Sequence, residues 1–360
     1  MSNDLCEELV VEIFTRLPPK TLLRFRSVSK ALYARISSPD FIRLHTLRFR
    51  SPKKFIIIHK HKLKDNEANY KSMLYTIHSE RQISSYAGIT PLTYPFYTSS
   101  LIVGSCNGII CVYDPSLQRG DAIYLWNPTI KRQYKVLHLP SCRPCFTHGF
   151  GFDPVVQDYK IVRIGITHTF VYTLKTATWR TIAPPMTRPC YVNQSKCIFN
   201  GALHWVVRAF RGYEYILRFD LSSEVFSTIE LCEPSWKNKE VTIVKGCLAV
   251  LSKNDDDDWY IWVRNNDTVS WSLAFKLNSP ERLTFGDVPF VYYYYPEIII
   301  TLSHEPQARS RLVHLTDTSR IACMAACIES LELLDMGTSC DQITGTKIKR
   351  EAEESDIMQK

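Results

Sequence analysis

The chain has 360 residues, 45% of them hydrophobic and 22% charged, with a formal net charge of +8. This is an ordinary globular balance with enough apolar material for a large core, and it excludes an intrinsically disordered chain. The charge is modest for the length: it permits an acidic partner without demanding nucleic acid. Asp4, Glu7 and Glu8 stand where a secretory leader would be basic and then apolar. No apolar run approaches the ~18 residues of a membrane span. The expected setting is therefore soluble and intracellular, with the 12 cysteines mostly reduced.

Two regimes meet near residue 50. The first is helical. Asp4 can cap a helix and Glu7 can complete a capping box. Leu5, Leu9, Ile13 and Leu17 follow at steps of four, widened by Val10 and Phe14, until Pro18-Pro19 stops the run. A second short helix carries Leu22, Leu23 and Phe25, and a third Val28, Leu32 and Ile36. Ser37-Ser38-Pro39 breaks that third helix, and one more helical turn holds Phe41 and Leu44. A unit of about 40–45 residues lies at the limit below which a domain rarely closes a core alone. Its apolar positions exceed what so small a bundle can bury, so the surplus must face another domain or another protein.

The second regime repeats. Tyr124–Asn127 leads to Tyr134, Val171–Leu174 to Trp179, Arg218–Leu221 to Phe226 and Ile261–Arg264 to Trp271. Each unit is an apolar strand, a polar turn and an aromatic opening a second strand. The aromatics fall about 45–47 residues apart, the spacing of one propeller blade. Gly108, Gly201 and Gly246 each precede a strand at about one or two of the same periods, where a tight turn needs positive φ. Residues 70–335 have room for about six blades, whose end members we place at Met73–Ile77 and Ile298–Leu302. The polar tail from Gly337 to Lys360 is expected to be disordered, and Asp255–Asp258 reads as a solvated hairpin loop.

Chemical motifs are sparse. Gly104-Ser105-Cys106-Asn107-Gly108 has the form of a cysteine nucleophile elbow, but a strand follows it where the elbow needs a helix, so it reads as a turn. Cys142 and Cys145, with His148 beyond, make half a zinc site and lack a second pair. There is no glycine-rich phosphate loop and no H-E-x-x-H. We therefore expect no catalytic residue, metal or cofactor. Basic residues from Arg16 to Arg50 gather in the helical unit, but they are interleaved with its apolar positions, and a protein partner explains both better than nucleic acid does.

Leu9 through Lys30, continuing in Ser37-Ser38-Pro39-Asp40-Phe41-Ile42, resembles the F-box motif. Two departures stand out: Leu5-Cys6 replaces the usual Leu-Pro, and Leu32 takes the usual tryptophan place, with Arg35 where leucine is common. The remainder is similar to the kelch-like F-box-associated domain of plant F-box proteins. The matching pieces are Gly104–Gly108, Leu125-Trp126-Asn127-Pro128, Gly149–Pro154 with Asp158–Arg163, Asn200–Trp205 and Ile328–Leu331. The wording of Lys30–Tyr33 and Asp158–Arg163 is similar to the S-locus group, which recognises basic secreted ribonucleases.

The resemblance implies a small all-α F-box unit (residues 1–46), a connector and first strand (47–69), an all-β kelch-like β-propeller of about six blades (70–335) and a disordered tail (336–360). It implies a non-catalytic receptor of a Skp–cullin–F-box ubiquitin ligase, cytoplasmic or nuclear. Such a receptor reaches a cullin and a RING protein through a Skp-type adaptor and holds a protein substrate for ubiquitination and proteasomal degradation, an S-RNase if the S-locus likeness holds. The adaptor contact carries over to Leu9, Ile13, Phe14, Leu17, Pro18, Leu22, Leu23, Phe25, Val28, Leu32 and Ile36, some of which must instead hold the bundle together. The alternative is a ligase-independent F-box-like scaffold that binds a protein or glycan.

Overall fold

The computed structural model describes residues 7–49, 54–61, 72–79, 92–96, 100–115, 120–141, 145–186, 189–192, 197–209, 212–232, 237–244, 246–254, 258–265, 269–277, 319–334 and 336. Four helices come first: α1 (Glu7–Phe14), α2 (Pro19–Arg26), α3 (Lys30–Ser37) and α4 (Pro39–Arg48). α1 ends at Phe14, so Leu17 lies in the turn beyond it. Pro19 opens α2, because a first-turn position needs no backbone N–H and suits the fixed φ of proline. Ser29 and Ser38 cap α3 and α4, accepting from the backbone N–H of Leu32 at 3.2 Å and of Phe41 at 3.3 Å. With that cap and Pro39 in its first turn, the segment expected to give a single turn becomes a ten-residue helix.

Strands follow in antiparallel sheets. The first blade holds β1 (Lys54–His61), β2 (Ser72–Ser79) and β3 (Leu92–Thr93); the second β4 (Leu101–Cys106), β5 (Ile109–Asp114), β6 (Ala122–Asn127) and β7 (Arg132–Val136). The third is β8 (Cys145–Asp153), β9 (Asp158–Gly165), β10 (Thr169–Thr173) and β11 (Thr178–Ile182). The fourth is β12 (Pro189–Val192), β13 (Cys197–Phe199), β14 (Ala202–Ala209), β15 (Glu214–Asp220) and β16 (Phe226–Glu230). The fifth is β17 (Lys237–Val244), β18 (Cys247–Lys253), β19 (Trp259–Arg264) and β20 (Trp271–Leu277). The last strand, β21 (Ser319–Cys327), returns to pair with β1 along its whole length. The C-terminal part of the chain thus supplies the inner strand of the N-terminal blade.

Among the described residues there are five blades, against an expectation of about six. Met73–Ile77 lies inside β2, while Ile298–Leu302 falls outside the described residues.

Four core clusters are seams between consecutive blades. Ile56, Ile58, Tyr75, Val112 and Trp126 join the first to the second; Ile109, Leu125, Ile161 and Tyr172 the second to the third. Val162, Val171, Trp205 and Phe219 join the third to the fourth, and Val206, Ile216, Leu248 and Val250 the fourth to the fifth. A middle strand is therefore buried on both faces, as β9 is along its whole length, its charged Asp158, Lys160 and Arg163 included. The repeated aromatics belong to these seams. Trp179 and Trp271 donate from Nε1 to the carbonyls of Leu137 at 3.1 Å and Glu230 at 2.9 Å on the preceding blade. Tyr134 departs from the pattern: its hydroxyl meets that of Tyr172 on the following blade at 3.0 Å.

The antiparallel register sorts the connections onto two faces. The turns at Asn107-Gly108 and Pro128–Lys131 share one face with the chain leaving β21 at Cys327 and the start of β1. Leu137, Ile166 and Tyr213 sit in connections on the opposite face.

Candidate functional site

The helices divide the carried-over residues into two sets. Leu22 and Ile36 are 0% exposed and make the core of the bundle with Phe41. Phe14, Leu17, Leu23, Phe25 and Leu32 are half-buried and pack against that core, with Phe14 stacked on Phe25 at 5.4 Å between ring centroids. Leu9, Ile13 and Val28 remain 52%, 48% and 70% exposed, and Pro18 is exposed beside them. Tyr33, 52% exposed and covered by the Arg26 guanidinium at 4.2 Å, adds an aromatic surface that the sequence reading passed over. The result is a small bundle with a filled apolar core and, among the described residues, an uncovered apolar exterior on α1, the α1–α2 turn and the α2–α3 turn.

His45 locks this arrangement and was not singled out from the sequence. Fully buried on α4 and stacked on Phe49 at 4.9 Å, it donates from Nε2 to the Leu17 carbonyl at 2.9 Å. Burial holds its pKa below the ordinary histidine value, so the neutral ring that makes this bond persists at neutral pH.

The bundle joins the propeller through residues 328–334. Leu331 and Leu334 enter the helical core beside Leu22, Ile36 and Phe41, and Ile130 from the second blade packs against it. Asn127 holds the segment: its Nδ2 lies 3.1 Å from the Ser330 carbonyl, 3.1 Å from Ser330 Oγ and 2.9 Å from the Glu332 carbonyl. Thr46 on α4 donates to Glu332 Oε1 at 2.9 Å, and Lys54 at the start of β1 pairs with Glu329 at 2.5 Å. Gly108, at φ +81°, lets the segment approach: a Cβ there would lie 2.5 Å from the Ile328 carbonyl oxygen. The spacing of Asn-Gly and of Leu125-Trp126-Asn127-Pro128 was legible, but their meeting with a segment about 200 residues later was not.

The Gly104–Gly108 motif is a turn. Asn107 (φ 49°) and Gly108 form a hairpin turn between β4 and β5, and burial raises Cys106 to about 12, leaving a protonated thiol rather than a nucleophile. Cys142 lies outside the described residues, and His148 packs at a tilt against Tyr113, with ring centroids 4.2 Å apart. Among the described residues no cluster of three or more His, Cys, Asp or Glu could hold a metal.

The Gly149–Pro154 and Asp158–Arg163 pieces build a buried ionic joint between the third and fourth blades. Lys160 Nζ reaches Asp153 Oδ2 at 2.7 Å, Glu224 Oε1 at 2.7 Å and the Leu221 carbonyl at 2.5 Å. Burial works against the Asp153 charge, but hydrogen bonds from Lys160, Ser222 and the Val155 N–H outweigh it and hold the carboxyl below its usual range. Asp158 caps the β10–β11 turn, accepting from the Lys175 N–H at 3.0 Å.

On the face away from the helices, Ile166, Met186 and Tyr213 are exposed, whereas neighbouring charges are internally paired, Arg208 and Lys239 both with Glu214. Of the acidic loop Asp255–Asp258, Asp255–Asp257 lie outside the described residues, and Asp258 pairs with Lys276 at 3.1 Å. No described helix is long and apolar enough to cross a membrane.

Comparison with known proteins agrees with this architecture. Residues 2–44 match the F-box domain, and residues 54–291 match the F-box associated beta propeller domain. The chain is 24% identical over 320 residues to F-box protein CPR1 of Arabidopsis thaliana, covering 77% of this chain and 73% of that protein. It is 26% identical over 300 residues to the F-box/kelch-repeat protein At3g23880 of the same plant, covering 75% and 78%. Helices that match an F-box, joined to blades that match its associated domain over most of the remaining length, place this chain in the family of F-box proteins with an F-box-associated β-propeller.

Proposed function

We propose that the chain is a substrate receptor of a Skp–cullin–F-box ubiquitin ligase. The observation that carries this reading is the apolar exterior of the bundle: Leu9, Ile13, Pro18 and Val28 are exposed although the core beneath them is full. These four residues, with the half-buried Phe14, Leu17, Leu23, Phe25 and Leu32 at their margins, are the adaptor contact. Leu22 and Ile36 act only through the shape of the bundle. The chain supplies no reacting group. Its contribution is proximity, holding a substrate near the conjugating enzyme that the cullin and RING protein bring. The substrate side is the propeller face opposite the helices, where Ile166, Met186 and Tyr213 are exposed. A basic ribonuclease, suggested by the S-locus likeness, is disfavoured electrostatically by the chain's own charge of +8.

The test is capture of a purified Skp-type adaptor by the full chain, by Ile13→Asp and by a chain lacking residues 1–46. Because Ile13 is half-exposed, its aspartate variant should keep the fold yet lose roughly 30-fold or more in affinity, as an unpaired charge is buried at the contact. The chain without residues 1–46 should bind nothing. Full affinity in Ile13→Asp would overturn the assignment of the surface. No binding by the intact chain would favour the ligase-independent scaffold and give weight to the departures at Cys6, Leu32 and Arg35.

A further inference from the structure

We propose that closure of the propeller ring completes the adaptor-binding helices, so that the chain takes up its adaptor only once its substrate-holding domain has closed. This rests on the adaptor reading above and adds a condition to it.

Three observations carry the inference. First, the first blade is finished by β21, which pairs with β1 from Lys54↔Cys327 to His61↔Ser319. Second, the residues directly after β21 supply Leu331 and Leu334, two of the five buried members of the helical core; the other three are Leu22, Ile36 and Phe41. Third, the segment between them is pinned to the propeller by Asn127 and by the Lys54–Glu329 pair, and to α4 by Thr46.

β21 and the leucines are thus one continuous run with only residues 328–330 between them, so pairing of β21 with β1 delivers the leucines to the helices. Without them the apolar cluster of the bundle keeps only three of its five buried members, Leu22, Ile36 and Phe41, in a unit already at the size limit for closing a core alone. A surface that exists only when the bundle is ordered binds in proportion to the ordered fraction. Chains that are unfinished, cleaved near the C-terminal end of the propeller or misfolded there would carry an intact F-box sequence and still fail to load.

The test uses the full chain and a purified Skp-type adaptor, with two readouts: adaptor affinity, and hydrogen exchange in α2–α4 compared with β9 and β14. One variant empties the core positions (Leu331→Ser with Leu334→Ser). A second breaks ring closure and leaves both leucines in place (Ala325→Pro, in the β21 ladder opposite Ile56). The conservative Leu331→Met is the control. None of these residues lies on the exposed apolar surface.

In both disruptive variants adaptor affinity should fall by about tenfold or more, and α2–α4 should lose protection while β9 and β14 keep theirs; Leu331→Met should match the parent. Adaptor binding within about twofold of the parent, with α2–α4 still protected, in either disruptive variant would overturn the proposal. If the parent chain itself bound no adaptor, the receptor reading would fail, and the exchange comparison alone would decide the coupling between ring and helices.

Discussion

His204 shows how one residue can report the integrity of a seam. It lies on β14 opposite Arg218, almost fully buried between the fourth and fifth blades. Burial first, then the nearby Arg218 and Arg264 guanidiniums, push its pKa down to about 4. A histidine whose folded pKa is depressed binds its proton more readily in the unfolded chain. Stability from this group is therefore complete above the ordinary value of 6.5 and is lost as pH falls towards 4. The expected loss between pH 7 and pH 4 is about 3 kcal/mol, read from urea unfolding at several pH values. His204→Gln should flatten that dependence; an unchanged slope would mean that His204 is not held neutral. The sequence marked His204 only as part of Asn200–Trp205, a strand after a tight turn. Its neutrality depends first on burial in the seam and then on Arg218 and Arg264, which lie 14 and 60 residues further along the chain.

At the scale of the element, the helices were legible from their apolar spacing and their serine and proline punctuation, because caps and breakers act through local backbone chemistry. Their division into core and surface was not. Leu22 and Val28 look alike in a helical pattern, yet one is covered by Leu331 and Leu334 and the other faces outward. The 328–334 segment is the element that decides this, and Glu332 is its titratable member. Burial raises the Glu332 pKa above 4.5, and the Thr46 hydrogen bond only partly offsets the shift. Its nearest titratable neighbours, Cys106 and Tyr159, are pushed upward and stay neutral at neutral pH. A carboxyl whose folded pKa is raised favours the folded chain below the unfolded value, and that advantage is lost as pH rises through the folded one. Glu332→Gln, whose amide oxygen can still accept from Thr46, should thus be more stable than the parent at pH 7, with the difference closing below about pH 4.5. Thermal unfolding at the two pH values checks it; a variant less stable at pH 7 would mean that the charge itself serves the junction.

At the scale of the whole molecule, the helices and blades share a core and should unfold together. All seven tryptophans lie outside residues 1–49, so tryptophan fluorescence reads the propeller while far-ultraviolet helical signal reads the bundle. The two urea transitions should coincide; loss of helix well before loss of fluorescence would show that the 328–334 segment couples them weakly.

The sequence by itself determined the order of helical and β regimes, the blade period, the Asn-Gly turns and the F-box motif, since each is written in spacings of a few residues or in a repeat of about 45. The tertiary structure alone decided which strand closes the first blade, that Lys160 is buried against Asp153 and Glu224, and that the F-box core is completed from residues 331–334. Those contacts join residues tens to hundreds of positions apart, and no local periodicity encodes which distant apolar or charged side chain will fill a given gap once the ring has closed.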